Sequence, residues 1–124
     1  MLFRSVVDHQ RALPPGTGER LACPLMQRLA ALGVPVLVVA QYDFYVWVDP
    51  AFGAEQHRKS QVVLACAEKA GLGAVDTWDA TEKAVKNDGL RTVYRAWHPS
   101  PAGNRLIAGQ IEAGLARKGY IPPR

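Results

Sequence analysis

The chain has 124 residues, 48% apolar and 21% charged, with a net charge of +4; this fits one small globular domain and excludes a disordered composition. No stretch approaches the roughly 18 consecutive apolar residues that span a bilayer, and Arg4, Asp8 and His9 interrupt the N-terminus, so the chain reads as soluble, with neither a membrane span nor a signal peptide. The cations are scattered among acids, with no basic run interleaved with aromatics, which argues against nucleic acid as a partner.

Residues 1–19 carry no sharp assignment. Leu2 to Val7 suits a strand or a helical end, Asp8-His9 reads as a surface pair, and Pro14-Pro15-Gly16-Thr17-Gly18 is a turn-rich break. Leu25, Met26, Leu29 and Leu32 recur at helical spacing, with Pro24 suited to a first turn and Gly33 to the position past the end; the pattern predicts an amphipathic helix over 20–32. Pro35 to Ala40 is a continuous β-branched and aliphatic run, expected as a parallel strand buried on both faces. The loop from Tyr42 to Gly53 carries Tyr42, Phe44, Tyr45 and Trp47, and a loop leaving a strand's carboxyl end lies on the ligand side of an open α/β sheet. Tyr42 and Trp47 are therefore candidate substrate-binding residues.

Ala54 to Ala70 is helical in pattern, burying Val62, Val63, Cys66 and Ala70, with Gly71 as its stop. Gly73 to Asp76 is a short strand. Asp79 and Glu82 form a D-x-x-E capping box that opens a helix ending near Asn87, Asp88-Gly89 marks a turn, and Leu90 to Tyr94 is expected to be extended. The last helix runs from Pro101 to about Lys118 and buries Leu106, Ile107, Ile111 and Leu115. Cys23 and Cys66 fall in predicted helices without CxxC spacing, so they read as buried free thiols rather than zinc or redox groups. His57, near Glu55, Arg58 and Lys59, reads as a solvated residue, and no HxxxH or HExxH spacing offers a metal site. The capping box accounts for Asp79, while Asp76, at a strand end, keeps a functional role open.

The order helix, strand, helix, strand, helix, helix predicts an α/β architecture with a parallel sheet. Only two clear strands are present where a doubly wound domain has about five, so residues 20–118 read as the second half of a doubly wound, flavodoxin-like α/β/α sandwich, preceded by the segment 1–19 and followed by a tail at 119–124. The apolar flank of Val36 to Val39 is expected to pair with an N-terminal half, a partner chain or a second copy.

In His98-Pro99-Ser100-Pro101-Ala102-Gly103, local physics accounts for most positions. Ser100 is a good N-cap, Pro101 fits the first helical position, and Gly103 allows close backbone approach. The helix start gives no reason for the imidazole ahead of it, whereas a general base belongs on a loop fixed by a rigid element. The block HPSPAGNRLIA at 98–108 resembles the final conserved block of SGNH (GDSL-type) hydrolases, and the elements over 20–118 follow the layout of that family's second half.

The resemblance implies that His98 is the catalytic base for a serine attacking an ester or acyl carbonyl, as in an esterase, a lipase-like enzyme or a carbohydrate O-acyl esterase or transferase. It implies no cofactor and no metal. The family commonly carries an aspartate three residues before the histidine, where this chain has Arg95, and a guanidinium cannot accept the imidazole N–H. His98 is then oriented by a backbone carbonyl, by a substitute acid such as Asp88 or Asp43, or the site is no longer catalytic. The family's Gly-Asp-Ser nucleophile block and its oxyanion-hole blocks are not visible: Ser5 lacks the context, Ser60 lies in a helix and Ser100 is a cap. A non-catalytic α/β binding or interaction module is the alternative. A flavodoxin-like phosphate binder is a third reading, without a Gly-rich loop after a strand to support it.

Overall fold

A computed structural model describes residues 13–123; the Leu2–Val7 segment and the Asp8-His9 pair lie outside the described residues. The first helix, α1, spans Thr17–Ala30 and begins earlier than its apolar spacing predicts. The reason is the turn before it: the Thr17 hydroxyl donates to the Pro14 carbonyl at 2.6 Å, and the Arg20 guanidinium donates to the Pro15 carbonyl at 3.1 Å. Pro24 consequently falls inside the helix rather than in its first turn, where it removes one backbone hydrogen bond. Leu25 and Leu32, expected on the buried face, are 48% and 64% exposed.

Strand β1 (Leu37–Ala40) pairs in parallel with β2 (Gly73–Asp76), in the register Leu37 to Gly73 through Ala40 to Asp76. Helix α2, Pro50–Lys69, makes the crossover. It starts at Asp49-Pro50 rather than Ala54 because the Asp49 carboxylate accepts the Ala51 and Phe52 N–H groups at 3.0 and 3.1 Å and Pro50 suits the first turn. Among the described residues the result is mixed α/β and mostly helical, with a two-stranded parallel sheet as its centre. β1 is half-buried along its whole length rather than buried on both faces, because among the described residues it has a strand on one edge only.

Between β1 and α2 lies a 3₁₀ turn, Phe44–Trp47. After β2 come α3 (Trp78–Asp88), a single helical turn α4 (Leu90–Val93), the two-residue strands β3 (Tyr94–Arg95) and β4 (His98–Pro99), and α5 (Pro101–Arg117). Leu90 to Val93 is thus helical rather than extended. Asp79 does not cap α3: Thr77 precedes the helix, and the Asp76 carboxylate instead accepts the Trp78 N–H at 2.9 Å. In α5, Ile107 is buried and Leu106, Ile111 and Leu115 are half-buried. Helix α5 meets the sheet at Gly114, where a Cβ would collide with Val75, so only a bare Cα permits this packing distance.

Cys23 and Cys66 are not free thiols. Packing of α1 on α2 brings their Cα atoms to 4.6 Å and they form a disulfide, an outcome that sequence spacing alone cannot anticipate for two residues 43 apart. Arg58 reinforces the same junction, donating to Glu19 of α1 and Glu55 of α2 at 2.8 Å each, although exposed ion pairs add little to stability. Closing a loop of 43 residues restricts the unfolded chain, so Cys23→Ala/Cys66→Ala is expected to lose about 4 kcal/mol in the chain-entropy treatment. Urea unfolding with and without the bond checks this; an unchanged midpoint would show that the α1–α2 junction holds without it.

Candidate functional site

The carboxyl ends of the two parallel strands are organised around Asp76, the last residue of β2. One carboxylate oxygen accepts the Tyr42 hydroxyl and the Trp78 N–H, both at 2.9 Å. The other meets the His57 Nε2 at 3.1 Å and the Gln61 side-chain amide. Four donors from the loop after β1, from α2 and from α3 thereby converge on one acid. The His57 ring lies flat on the Trp78 indole, with centroids 4.0 Å apart and planes within 2°. His57 is therefore a half-buried, stacked residue rather than a solvated one. Its helical position one turn before Gln61 directs both side chains to the same carboxylate.

Tyr42 is only 3% exposed. Burial pushes its hydroxyl up to about 12, and the adjacent Asp76 carboxylate adds to the shift. Trp47 is half-buried and tilts against Trp78 at 4.7 Å between centroids. These two indoles form part of an open cleft of about 350 Å³ that Pro50, Glu82, Val85 and Lys86 also line. Of the two expected substrate-binding residues, Trp47 thus reaches a surface cleft, while Tyr42 is engaged in holding Asp76.

His98 lies on a tight antiparallel hairpin in which Arg95 faces His98 and Tyr94 faces Pro99. The turn between the strands is Ala96-Trp97, and Ala96 takes a positive φ of 54° that is uncommon for a residue with a Cβ. The hairpin has two anchors. On its outgoing side, the Ser100 hydroxyl accepts the Gly103 N–H at 3.1 Å and donates to the Thr92 carbonyl, while the Ser100 N–H donates to the Val93 carbonyl at 2.8 Å. A Cβ at Gly103 would strike that same Val93 carbonyl, so glycine is required for the close approach. On its incoming side, the buried Tyr94 donates its hydroxyl to the Tyr42 carbonyl at 2.7 Å and accepts the Trp47 indole N–H at 2.9 Å. Burial raises the Tyr94 pKa above its ordinary value. The His98 hairpin is thereby tied to the chain that leaves the carboxyl end of β1.

His98 itself is exposed. Asp88, the last residue of α3, is exposed as well, and Asp43 accepts the Tyr45 N–H at 2.8 Å. Among the described residues no hydrogen bond or ion pair joins either acid to His98. The acid–imidazole contact that is present, Asp76 with His57, involves a histidine read from sequence as solvated; the clue available was Asp76 at a strand end. No sequence signal links it to a histidine nineteen positions earlier on α2.

Replacing Asp76 by Ala is expected to leave its donors unpaired and to cost about 2–4 kcal/mol, with Asp76→Asn costing less because an amide oxygen still accepts. Urea midpoints check this; equal stability of all three proteins would remove Asp76 as the organising group. The Tyr42 shift gives a pH dependence. The unfolded tyrosine ionises near pH 10 and the folded one near 12, so the native state holds the proton more tightly and stability declines as pH rises from 10 to 12. Tyr42→Phe is expected to flatten that decline, read as urea midpoints across the interval. No protein-family model matches the chain, and no solved structure matches it.

Proposed function

We propose that this chain is the C-terminal portion of an SGNH-type serine hydrolase, with His98 as general base for a serine supplied from outside the chain, and that residues 20–118 form the second half of a doubly wound α/β/α sandwich. The observation that carries this reading is the Tyr94 hydrogen bond to the Tyr42 carbonyl, which fastens the His98 hairpin to the carboxyl end of a parallel βαβ unit, the edge where open α/β sheets bind ligands. Among the described residues one edge of β1 carries no strand, and this edge, with the exposed Leu25 and Leu32 of α1, supports the half-domain reading, since further strands and their covering elements would bury them. The Cys23–Cys66 disulfide suits an oxidising compartment, so the reading extends to an exported protein.

In the proposed reaction, the imidazole of His98 takes the proton from the serine Oγ as that oxygen attacks the acyl carbonyl. The tetrahedral intermediate collapses as His98 returns the proton to the departing alcohol, and water or an acceptor alcohol then repeats the sequence on the acyl-enzyme. The substrate is an acyl ester of a small molecule or a carbohydrate. The chemistry requires no cofactor. The hairpin register explains why the residue three positions before the histidine matters: it lies directly across the ladder from it. Arg95 in that place favours the second reading, a non-catalytic binding module that keeps the packing without the chemistry.

Ester hydrolysis and labelling by a fluorophosphonate, measured on this chain and on a form extended upstream of Met1, separate the two. The extended form is expected to label and to hydrolyse p-nitrophenyl acetate, and His98→Ala to lower its kcat by about 10³-fold or more with an unchanged Tm. An extended form that hydrolyses esters equally well without His98 would refute its role, and one that neither labels nor hydrolyses would establish the binding module.

A further inference from the structure

All three tryptophans of the chain, Trp47, Trp78 and Trp97, belong to a network of aromatic residues at the carboxyl end of the sheet. Most of that network is partly covered and internally bonded: Trp47 donates to Tyr94, Trp78 stacks on His57, and Phe44 stands edge-on to Tyr94 beneath the Arg91 guanidinium. Its outer end differs. Tyr45 and Trp97 stack with centroids 5.8 Å apart and planes within 15°, and they remain 48% and 56% exposed. Stacked rings touch at about 3.5–4 Å, so a centroid separation of 5.8 Å means that the two rings are offset rather than superposed, and neither covers the other's face completely.

Neither ring is there by chance of a floppy loop. Tyr45 is set by the 3₁₀ turn, in which Asp43 accepts its N–H, and Trp97 follows Ala96 in its positive-φ conformation at the tip of the hairpin. A non-glycine residue held at positive φ carries a conformational cost, and here that cost turns Trp97 onto a ring from another element, immediately before His98. The surface is open, and neither ring lines the Trp47–Trp78 cleft. An alkyl chain gains little from an open platform because it needs enclosure to leave water. A sugar ring presents a flat face of weakly positive C–H groups to the negative face of an arene while its hydroxyls stay hydrated, so it gains from one stacked contact.

We propose that Tyr45 and Trp97 form a stacking platform for a pyranose ring, which makes the alcohol side of the substrate at His98 a carbohydrate. The assignment of the reacting ester rests on the acyl-transfer reading of His98, whereas sugar binding stands on the two rings alone.

The test follows the three indole N–H resonances of this chain by NMR during titration with xylohexaose, cellohexaose, chitohexaose and hexagalacturonic acid. Saturable movement of the Trp97 signal, with those of Trp47 and Trp78 moving little, is expected for at least one of them. Affinities of the variants are read by calorimetry, because Trp97→Ala and Trp97→Phe remove the reporter indole: Tyr45→Ala and Trp97→Ala are expected to weaken binding by about tenfold, while Trp97→Phe, which keeps an aromatic face, stays within a few-fold. The oligosaccharides carry no ester, so the readout is binding alone and a failed hydrolase reading leaves this result intact. Absence of saturable binding by all four oligosaccharides, or equal binding by Trp97→Ala, would overturn the platform.

Discussion

One carboxylate holds the carboxyl end of the parallel sheet together. Asp76 ends β2, and donors from the loop after β1, from α2 and from the start of α3 meet on its two oxygens. Donors left unpaired in a half-buried setting are costly, and these four come from three different parts of the chain. The carboxylate therefore fixes where the loop after β1 turns and where α3 begins, and with them the positions of Trp47 and Trp78. Its lone pairs are filled by structural donors, which makes it an organiser of the sheet edge rather than the orienting acid of His98.

The second constraint is the buried Tyr94 hydroxyl. It links the Tyr42 carbonyl, the Trp47 indole and the first residue of β3, so the His98 hairpin is referred to the same framework that Asp76 organises. From the other side, Ser100 and Gly103 clamp the hairpin to the turn of α4. His98 and Trp97 are thus exposed residues on a short, doubly anchored support, the arrangement that a surface group needs to act on a ligand with little loss of ordering entropy.

The sequence signals succeeded where the determining physics is local. β2 has its expected bounds, Ser100 caps α5 as its neighbours predict, and Gly103 is glycine because of a close backbone approach. They failed at the starts of helices and in one short segment. Pro24 sits mid-helix because the turn at 14–17 starts α1 early, and Leu90 to Val93 forms a helical turn. Asp79 yields to Asp76 at the start of α3, since a carboxylate already positioned by the sheet reaches the Trp78 N–H first.

The sequence by itself determined the α/β alternation, the parallel pairing implied by a long crossover, and the placement of an imidazole just ahead of a capped helix, because periodicity, caps and turn residues act within a few positions of the chain. Only the tertiary structure decided that Cys23 meets Cys66, that His57 leaves solvent to stack on Trp78 and bond Asp76, and that Tyr45 finds Trp97. Those pairings join residues 19 or more positions apart, and packing of helices on the sheet sets their distances. Spacing along the chain carries no trace of them.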